Sequence, residues 1–371
     1  MRRLAFAFLT SVFLGSVQAS DAPPRSAADI LALLDEQKPD PAKVEALKRV
    51  AAKAPPQTSD AVDLRHFYTE RATAAGELGL VTQQLEDLRV AQKYTPQGQE
   101  RFVLNTQLIG AERQAGNYAE AVKLANQAPD NAVLPGARVG AWAQIAVFRA
   151  STGDRAGAQQ AFERSVEAFQ EAQGGRYFPF LADNYRRIVE GTRATVLRAE
   201  GKYAEAEAAF RLAMAYGDSF IANHAVAARS VPSTMPPLLD RHRQLVRMEA
   251  IGLANTQLQQ GKFAEAEISA RNAVRRALAF FGKYSPDTGT AVASLAHIIF
   301  EQGRFHDAAA LYAATVDIYE RIGAAPYAPT LVNALKGLGD TLVQEAKYAE
   351  ADAVYRRVRK GLDLSPESQA Y

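Results

Sequence analysis

The sequence predicts an all-α protein, a solenoid of stacked helical hairpins. The pattern Gly-x-aromatic-x-acid-Ala recurs four times in the 371 residues, beginning at Gly116, Gly201, Gly261 and Gly303. The residues before each of these glycines carry apolar side chains at three- and four-residue spacing, which is typical of a helix that packs on one face. With 48% hydrophobic and 23% charged residues, the chain has the composition of a folded protein. Repetition of this kind builds an array in which each unit packs on its neighbours.

Residues 1–19 have the layout of a secretory signal peptide. A short basic start at Arg2 and Arg3 is followed by an apolar stretch that ends in small residues. We expect cleavage near Ala19–Ser20 and a periplasmic or secreted mature protein. A buried N-terminal helix is the alternative interpretation, and the two arginines alone indicate the twin-arginine export route only weakly.

Charge and composition exclude several kinds of partner and site. Without Arg2 and Arg3 the chain carries as many basic as acidic residues, and it has no lysine and arginine run that could follow a phosphate backbone. We therefore expect no nucleic acid partner. Beyond the signal peptide, no segment reaches about 18 consecutive apolar residues, so we expect no stable membrane insertion. The cysteine count of 0 excludes thiolate chemistry and disulfide bonds.

Residues 20–60 predict a leader and two short helices ahead of the repeats. Ser26 and Asp29 have the spacing of a capping box, which would open the first helix. Asp40 followed by Pro41 places a cap and a first-turn proline at the start of the second helix.

Each repeat unit predicts two helices joined by a tight turn. The glycine suits the turn because it accepts a positive φ, and the alanine lets the two helices approach closely. A fifth copy, at residues 346–351, has Ala346 in place of the glycine. Acidic residues recur at one repeat position, in Glu205-Ala206-Glu207 and Glu265-Ala266-Glu267. We expect them on a solvated helix face rather than in a catalytic carboxylate pair.

The spacing of the units divides the chain into degenerate repeats over 61–216 and regular repeats over 244–371. The interval from Gly201 to Gly261 is about 18 residues longer than the later ones, and prolines follow Ser230. We therefore expect residues 217–243 to form an inserted, proline-containing connection. A surface loop is the simpler interpretation, and a hinge or a loop on the concave face is the alternative.

These repeats resemble the tetratricopeptide repeat (TPR). Around Gly261, the residues Leu253-Ala254, Ala266 and Ala273 match the TPR pattern fully, and the copies around Gly303 and Ala346 match it in part. The period of about 42 residues, instead of 34, resembles the kinesin-light-chain type of repeat in bacterial exported proteins. The resemblance implies a right-handed superhelix, or α-solenoid, whose concave surface binds an extended partner.

In the resembled family the first helix of each hairpin lines the concave surface. Carried onto this sequence residue by residue, the groove positions are Thr195, Ile251, Asn255, Ala293, His297, Asn333, Lys336 and Asp340. Asparagine and lysine side chains can bond a peptide backbone or a carboxylate. The family's Lys/Arg clamp for C-terminal carboxylates is missing, but the resemblance still implies a protein or extended peptide as partner.

The sequence offers little for catalysis. The 5 histidines form no HExxH motif, and no glycine-rich phosphate loop or G-x-S-x-G motif is present. His297 and His306 fall in one predicted hairpin, and ordinary packing or solvent contact is favoured for them over a metal site. We therefore predict no catalytic residues, no metal site and no cofactor.

The function that fits these observations best is an exported TPR scaffold for protein–protein interaction, with no intrinsic catalysis. The alternative is a sensor or recruitment region associated with a caspase-like (CHAT-type) protease domain outside this chain. An enzyme built into the repeats is a third, less favoured class. The sequence leaves the oligomeric state open.

Overall fold

Helices make up all the regular structure of the described residues, which are 26–36, 41–228 and 236–364 in the computed structural model. No strand occurs in these ranges. The predicted signal peptide and leader, the predicted cap Asp40 and residues 229–235 lie outside them. The prediction of an all-α solenoid of stacked hairpins is confirmed.

Within the described ranges, seven helical hairpins follow two short helices, α1 (Ala28–Glu36) and α2 (Pro41–Ala51). A further short helix, α7 (Ala128–Asn131), lies between the second and third hairpins. In chain order the hairpins are α3 (Ala61–Glu77) with α4 (Val81–Lys93), α5 (Gln99–Gln114) with α6 (Tyr118–Asn126), α8 (Pro135–Ser151) with α9 (Arg155–Gln173), α10 (Phe178–Ala199) with α11 (Tyr203–Ala228), α12 (Pro236–Gln259) with α13 (Phe263–Phe281), α14 (Pro286–Glu301) with α15 (Phe305–Arg321), and α16 (Pro329–Gln344) with α17 (Tyr348–Asp363).

The turn inside the hairpins requires a positive φ. In the four full copies of the pattern φ lies between 71° and 85°, at Gly116, Gly201, Gly261 and Gly303. Ala346, which replaces the glycine in the fifth copy, also has a positive φ, of 58°. Side chains with a Cβ rarely adopt this conformation. The same turn therefore forms in this copy without glycine.

Buried alanines along one face of several second helices let them pack closely on their neighbours. On α13, Ala266, Ala270, Ala273 and Ala277 are fully buried, and α13 packs against both α12 and α14. Small side chains let these helix axes come close. The resulting core runs through the last three hairpins, and a second core fills the first three.

The first two hairpins touch the segment that links the last two. A Cβ added to Gly79, in the turn between α3 and α4, would lie 2.2 Å from the Cβ of Ile322, just after α15. Gly116 lies against Tyr327 and Pro329, at the start of α16. The array therefore curls until its N-terminal turns meet its C-terminal part, and only glycine fits at Gly79.

Most of the predicted connection over 217–243 is helical. Helix α11 continues to Ala228 and α12 begins at Pro236. Pro236 and Pro237 are compatible with this start because the first turn of a helix does not need their missing N–H groups. The extra residues thus lengthen two helices, and only residues 229–235 lie outside the described part.

The start of α1 differs from the predicted capping box. Ser26 Oγ accepts a bond from the backbone N of Ala28 at 3.1 Å. The Asp29 side chain pairs with Arg271, far along the chain, instead of reaching back to Ser26. A tertiary ion pair has replaced the local cap.

The second glutamate of each repeated acidic pair is buried, which corrects the expectation of a solvated face. Glu207 is 8% exposed and Glu267 is 0% exposed. Glu207 Oε2 accepts a bond from Lys262 Nζ at 2.7 Å, and Glu267 Oε2 accepts one from Arg304 Nη1 at 2.9 Å. Each cation directly follows the repeat glycine of the next hairpin, so each carboxylate joins two hairpins. The exposed members of the pairs are Glu205 and Glu265.

We expect the Glu207 contacts to make stability depend on pH. Burial opposes ionisation of Glu207, but bonds from Lys262, Arg211, Gln260 and Gln257 outweigh it and lower its pKa from 4.5 to about 2. Because the folded-state pKa is depressed, this stabilisation is complete above about pH 4.5 and is lost as the pH falls towards 2. Glu207→Gln should therefore lower the free energy of unfolding at pH 7 by about 1 to 3 kcal/mol, measured by urea denaturation.

The difference between wild type and Glu207→Gln should shrink as the pH is lowered from 5 to 2.5. Glu205→Gln, on the exposed side of the same helix, is the matched control and should change stability little at any pH. A difference for Glu207→Gln that stays constant over this range would contradict the assignment.

Candidate functional site: the inner surface of the first helices

From the third hairpin to the seventh, the first helices form one continuous surface because consecutive ones touch. Helix α10 contacts α8 and α12, and α14 contacts α12 and α16. Arg187 Nη1 on α10 pairs with Glu249 Oε1 on α12 at 2.5 Å. Ser294 Oγ on α14 donates to Asn255 Oδ1 on α12 at 3.3 Å. We call the face of α10, α12, α14 and α16 that carries the eight predicted residues the inner surface.

The end of the inner surface on α16 is its most exposed part. Asn333, Lys336 and Asp340 are all exposed and follow one another at helical spacing, so they share one face. Asp340 already has a partner, since Tyr355 Oη on α17 donates to its Oδ1 at 2.6 Å. Burial, together with this bond to Asp340, raises the pKa of Tyr355 to about 12. Asp340 therefore helps to close its own hairpin.

Asn333 and Lys336 differ from Asp340 in having no internal partner. Among the residues that the structure describes, neither side chain forms a hydrogen bond or an ion pair. The Asn333 amide can donate and accept, and the Lys336 ammonium can donate three bonds. These two groups are the available polar contacts at this end of the surface.

The middle of the inner surface is less polar. On α14, His297 has a half-exposed side chain with Nδ1 3.9 Å from Glu301 Oε1, and Ala293 beside it is half-buried. On α12, Ile251 and Asn255 are also half-buried. Asn255 uses its oxygen towards Ser294, which leaves its NH₂ group as a donor.

Thr195, on α10, is satisfied within its own helix. Its hydroxyl donates to the carbonyl of Gly191 at 2.9 Å, and the residue is half-buried. The structure therefore places the eight predicted residues along four first helices. Thr195 and Asp340 already have hydrogen-bond partners, whereas Asn333 and Lys336 have none among the described residues. Their contact with a ligand stays a prediction.

The histidines that the structure describes do not come together. His297 lies near Glu301, whereas His306 Nδ1 is 3.7 Å from Glu345 Oε1. Within the described ranges, no group of three or more potential metal ligands is positioned to hold a metal ion. None of the helices described there has the length and apolar character needed to cross a membrane.

A cleft of about 300 Å³ between α9, α10 and α11 was not predicted. Phe169, Phe178 and Tyr216 supply aromatic walls, and Arg186 and Glu190 supply opposite charges. None of the eight predicted residues lines it. The closely spaced aromatics of residues 177–180 were the available sequence indication.

Comparison with known proteins gives similarity in structure only. No family model matches the sequence, and no curated protein matches it. The chain is similar to a Rap protein solved in complex with Competence and Sporulation Factor, with a TM-score of 0.52 and 12% identity. That similarity covers 86% of this chain and 90% of the Rap chain.

Two further solved structures, whose titles describe TPR or TPR-like repeats, are similar to the chain at lower TM-scores. A kinesin light chain-like protein of Podosopora anserina, with nearly identical TPR-like repeats, has a TM-score of 0.42 and 16% identity over 62% of this chain and 96% of its own. A tetratricopeptide repeat protein from Parabacteroides merdae has a TM-score of 0.38 and 13% identity over 80% of this chain and 93% of its own. The stacked hairpins and the recurrent glycine turn give the described part of the chain a TPR-like fold.

Proposed function

We propose that this chain is an exported scaffold that binds a protein or extended peptide along the inner surface and has no catalysis of its own. The observation that carries the proposal is the pair of unpartnered side chains on α16, Asn333 and Lys336, at the end of a continuous surface of first helices. Polar groups held on rigid helices suit the recognition of an extended chain.

The chemistry of the surface favours a peptide-like ligand. Asn333 and the NH₂ group of Asn255 match the donors and acceptors of a peptide backbone, and Lys336 matches a carboxylate or a carbonyl oxygen. Ile251 and Ala293 offer apolar contact between these polar groups. An exposed charge alone contributes only about 0 to 1 kcal/mol, so affinity would be spread over several contacts.

The fold provides a precedent of the same general kind. The Rap protein, which has a similar fold, is seen in complex with Competence and Sporulation Factor. This precedent supports the search for a protein or peptide ligand here but does not identify one.

Export is the second part of the proposal, and residues 1–19 support it. Their basic start, apolar stretch and small residues before Ser20 are the features of a secretory signal peptide, and the small residues suit cleavage by signal peptidase. The proposed site of action is therefore the periplasm or the extracellular medium.

We predict that replacing Asn333 and Lys336 together by alanine weakens binding of the partner. The measurement is photo-crosslinking from a probe at Ala293, followed by mass spectrometry of the captured protein in periplasmic extract. Both side chains are exposed and unpartnered, so the double variant should fold normally. We expect capture to fall at least five-fold.

The matched control is Glu265→Ala with Glu350→Ala, at the exposed starts of α13 and α17. This variant should capture the same partner as wild type. If the control loses the partner and the Asn333→Ala, Lys336→Ala variant keeps it, binding has been assigned to the wrong surface.

We also predict that the mature protein begins near Ser20 and is found in the periplasmic fraction. Intact-mass measurement of the purified protein gives its N-terminus, and a variant with charged residues in the apolar stretch should stay unprocessed. A cytoplasmic protein with Met1 or Arg2 intact would refute the export proposal and leave the binding proposal standing.

A further inference from the structure

The cleft between α9, α10 and α11 has the composition of a site for a small molecule. Its volume of about 300 Å³ lies at the lower end of the range for such sites. Its apolar lining comes from all three helices and consists of Phe169, Phe178, Val189 and Tyr216. A few polar groups among apolar walls are the usual means by which a site orients a small ligand. Here those groups include one cation and one carboxylate.

The aromatic rings at the start of α10 are held in place by neighbouring helices. The centroid of the Phe178 ring lies 5.9 Å from that of Phe169 on α9 and 6.2 Å from that of Tyr185. Tyr185 in turn packs on α8 at Gly136, where an added Cβ would lie 2.0 Å from the Tyr185 hydroxyl oxygen. The rings therefore form a fixed apolar wall, and little side-chain ordering is required when a ligand binds.

The cation of the cleft, Arg186, is oriented by a chain of hydrogen bonds. Its Nη1 donates to Asp183 Oδ1 at 2.9 Å, and Ser219 Oγ on α11 donates to Asp183 Oδ2 at 2.7 Å. The guanidinium carbon lies 5.7 Å from the centroid of the Tyr216 ring. Among the described residues, Nη2 and Nε of Arg186 have no acceptor. The guanidinium can therefore still donate to the carboxylate of a ligand.

The carboxylate of the cleft, Glu190, lies one helical turn after Arg186 on the same face of α10. Opposite charges at this spacing can pair, but Arg186 bonds Asp183, and Glu190 Oε2 accepts only a long bond of 3.4 Å from Arg193 Nη1. The Glu190 side chain is 19% exposed, and its Oε1 has no partner among the described residues. A largely buried carboxylate with one unbonded oxygen suits an ammonium group in the cleft.

We propose that this cleft binds a free amino acid with an apolar side chain. Glu190 accepts from the ligand's ammonium group, and Arg186 donates to its carboxylate. The ligand's side chain lies among the rings of Phe169, Phe178 and Tyr216. Two opposite charges one turn apart match the two charged groups that an amino acid carries on one carbon. A peptide carries these charges at its opposite ends, and each added residue separates them by about 3.5 Å. The site shares no residue with the inner surface and does not depend on it.

The test is isothermal titration calorimetry of the full chain with L-phenylalanine and with L-leucine. We expect at least one of them to bind saturably, with one site per chain and a Kd of about 1 mM or below. The acetylated derivative of the bound amino acid lacks the ammonium group, and its amide derivative lacks the carboxylate. Each derivative should bind at least ten-fold more weakly than the amino acid, because Glu190 or Arg186 is then left without its partner.

Two substitutions assign each charge of the ligand to one side chain. Glu190→Gln and Arg186→Gln should each weaken binding of the amino acid at least ten-fold. Both side chains bond only within α10, so the circular dichroism signal at 222 nm should stay unchanged. Glu190→Gln should also bind the acetylated derivative as well as the amino acid, and Arg186→Gln should do so for the amide. Glu163→Gln, an exposed carboxylate on α9, is the matched control and should bind as wild type does.

Failure of both amino acids to bind the wild-type chain would overturn the proposal. So would binding that Glu190→Gln and Arg186→Gln leave unchanged, because the ligand would then lie elsewhere on the molecule. Equal affinity of the wild type for the amino acid and for its amide would also overturn it, since the site would then recognise an ammonium group alone, such as the N-terminus of a peptide.

Discussion

The arrangement of the C-terminal half depends on the hydrogen bonds and ion pairs that the Glu267 carboxylate accepts. It is fully buried, and it accepts bonds from Arg304 and Gln302 of the sixth hairpin and from Arg271 of its own helix. A carboxylate out of contact with water is tolerated only with such a complete set of donors. Arg271, fixed in this way, then reaches Asp29 of α1. One side chain thus sets the positions of α13, the turn before α15, and the N-terminal helix.

A bridge of the same kind occurs one repeat earlier in the chain, but none occurs at the equivalent position one repeat later. Glu207 joins the fourth hairpin to the fifth through Lys262. At the equivalent position of the sixth hairpin the residue is Ala309, and the corresponding cation, Lys347, pairs with Glu345 of its own turn instead. The two bridges hold three consecutive hairpins in fixed register. That register keeps α10, α12 and α14 in contact and makes the inner surface continuous, while α1 packs against both α13 and α15.

The hairpins could be predicted because their determinants are local. Glycine in the turn, an aromatic residue after it and alanine along the second helix act within one unit, and the period repeats them. The burial of Glu207 and Glu267 depends on a cation in the next hairpin, so a single unit resembles a solvated acidic face. A lysine or arginine directly after the next repeat glycine was the available indication. The packing of α1 and the bond between Asp340 and Tyr355 are tertiary contacts between different helices. A pattern within one helix does not predict them.

Hydrogen exchange with mass spectrometry of Glu267→Gln tests the central role of Glu267 most directly, with Glu265→Gln on the exposed side of the same helix as the control. Arg271 and Arg304 each lose one of their two carboxylate partners in Glu267→Gln and keep Asp29 and Asp307, respectively. Because Glu267 fixes both arginines, amide exchange should accelerate at least ten-fold both at the turn before α15 and in α1, far away in sequence. The control should exchange as wild type does. Unchanged protection of α1 in Glu267→Gln, with or without a change at the turn, would contradict the account.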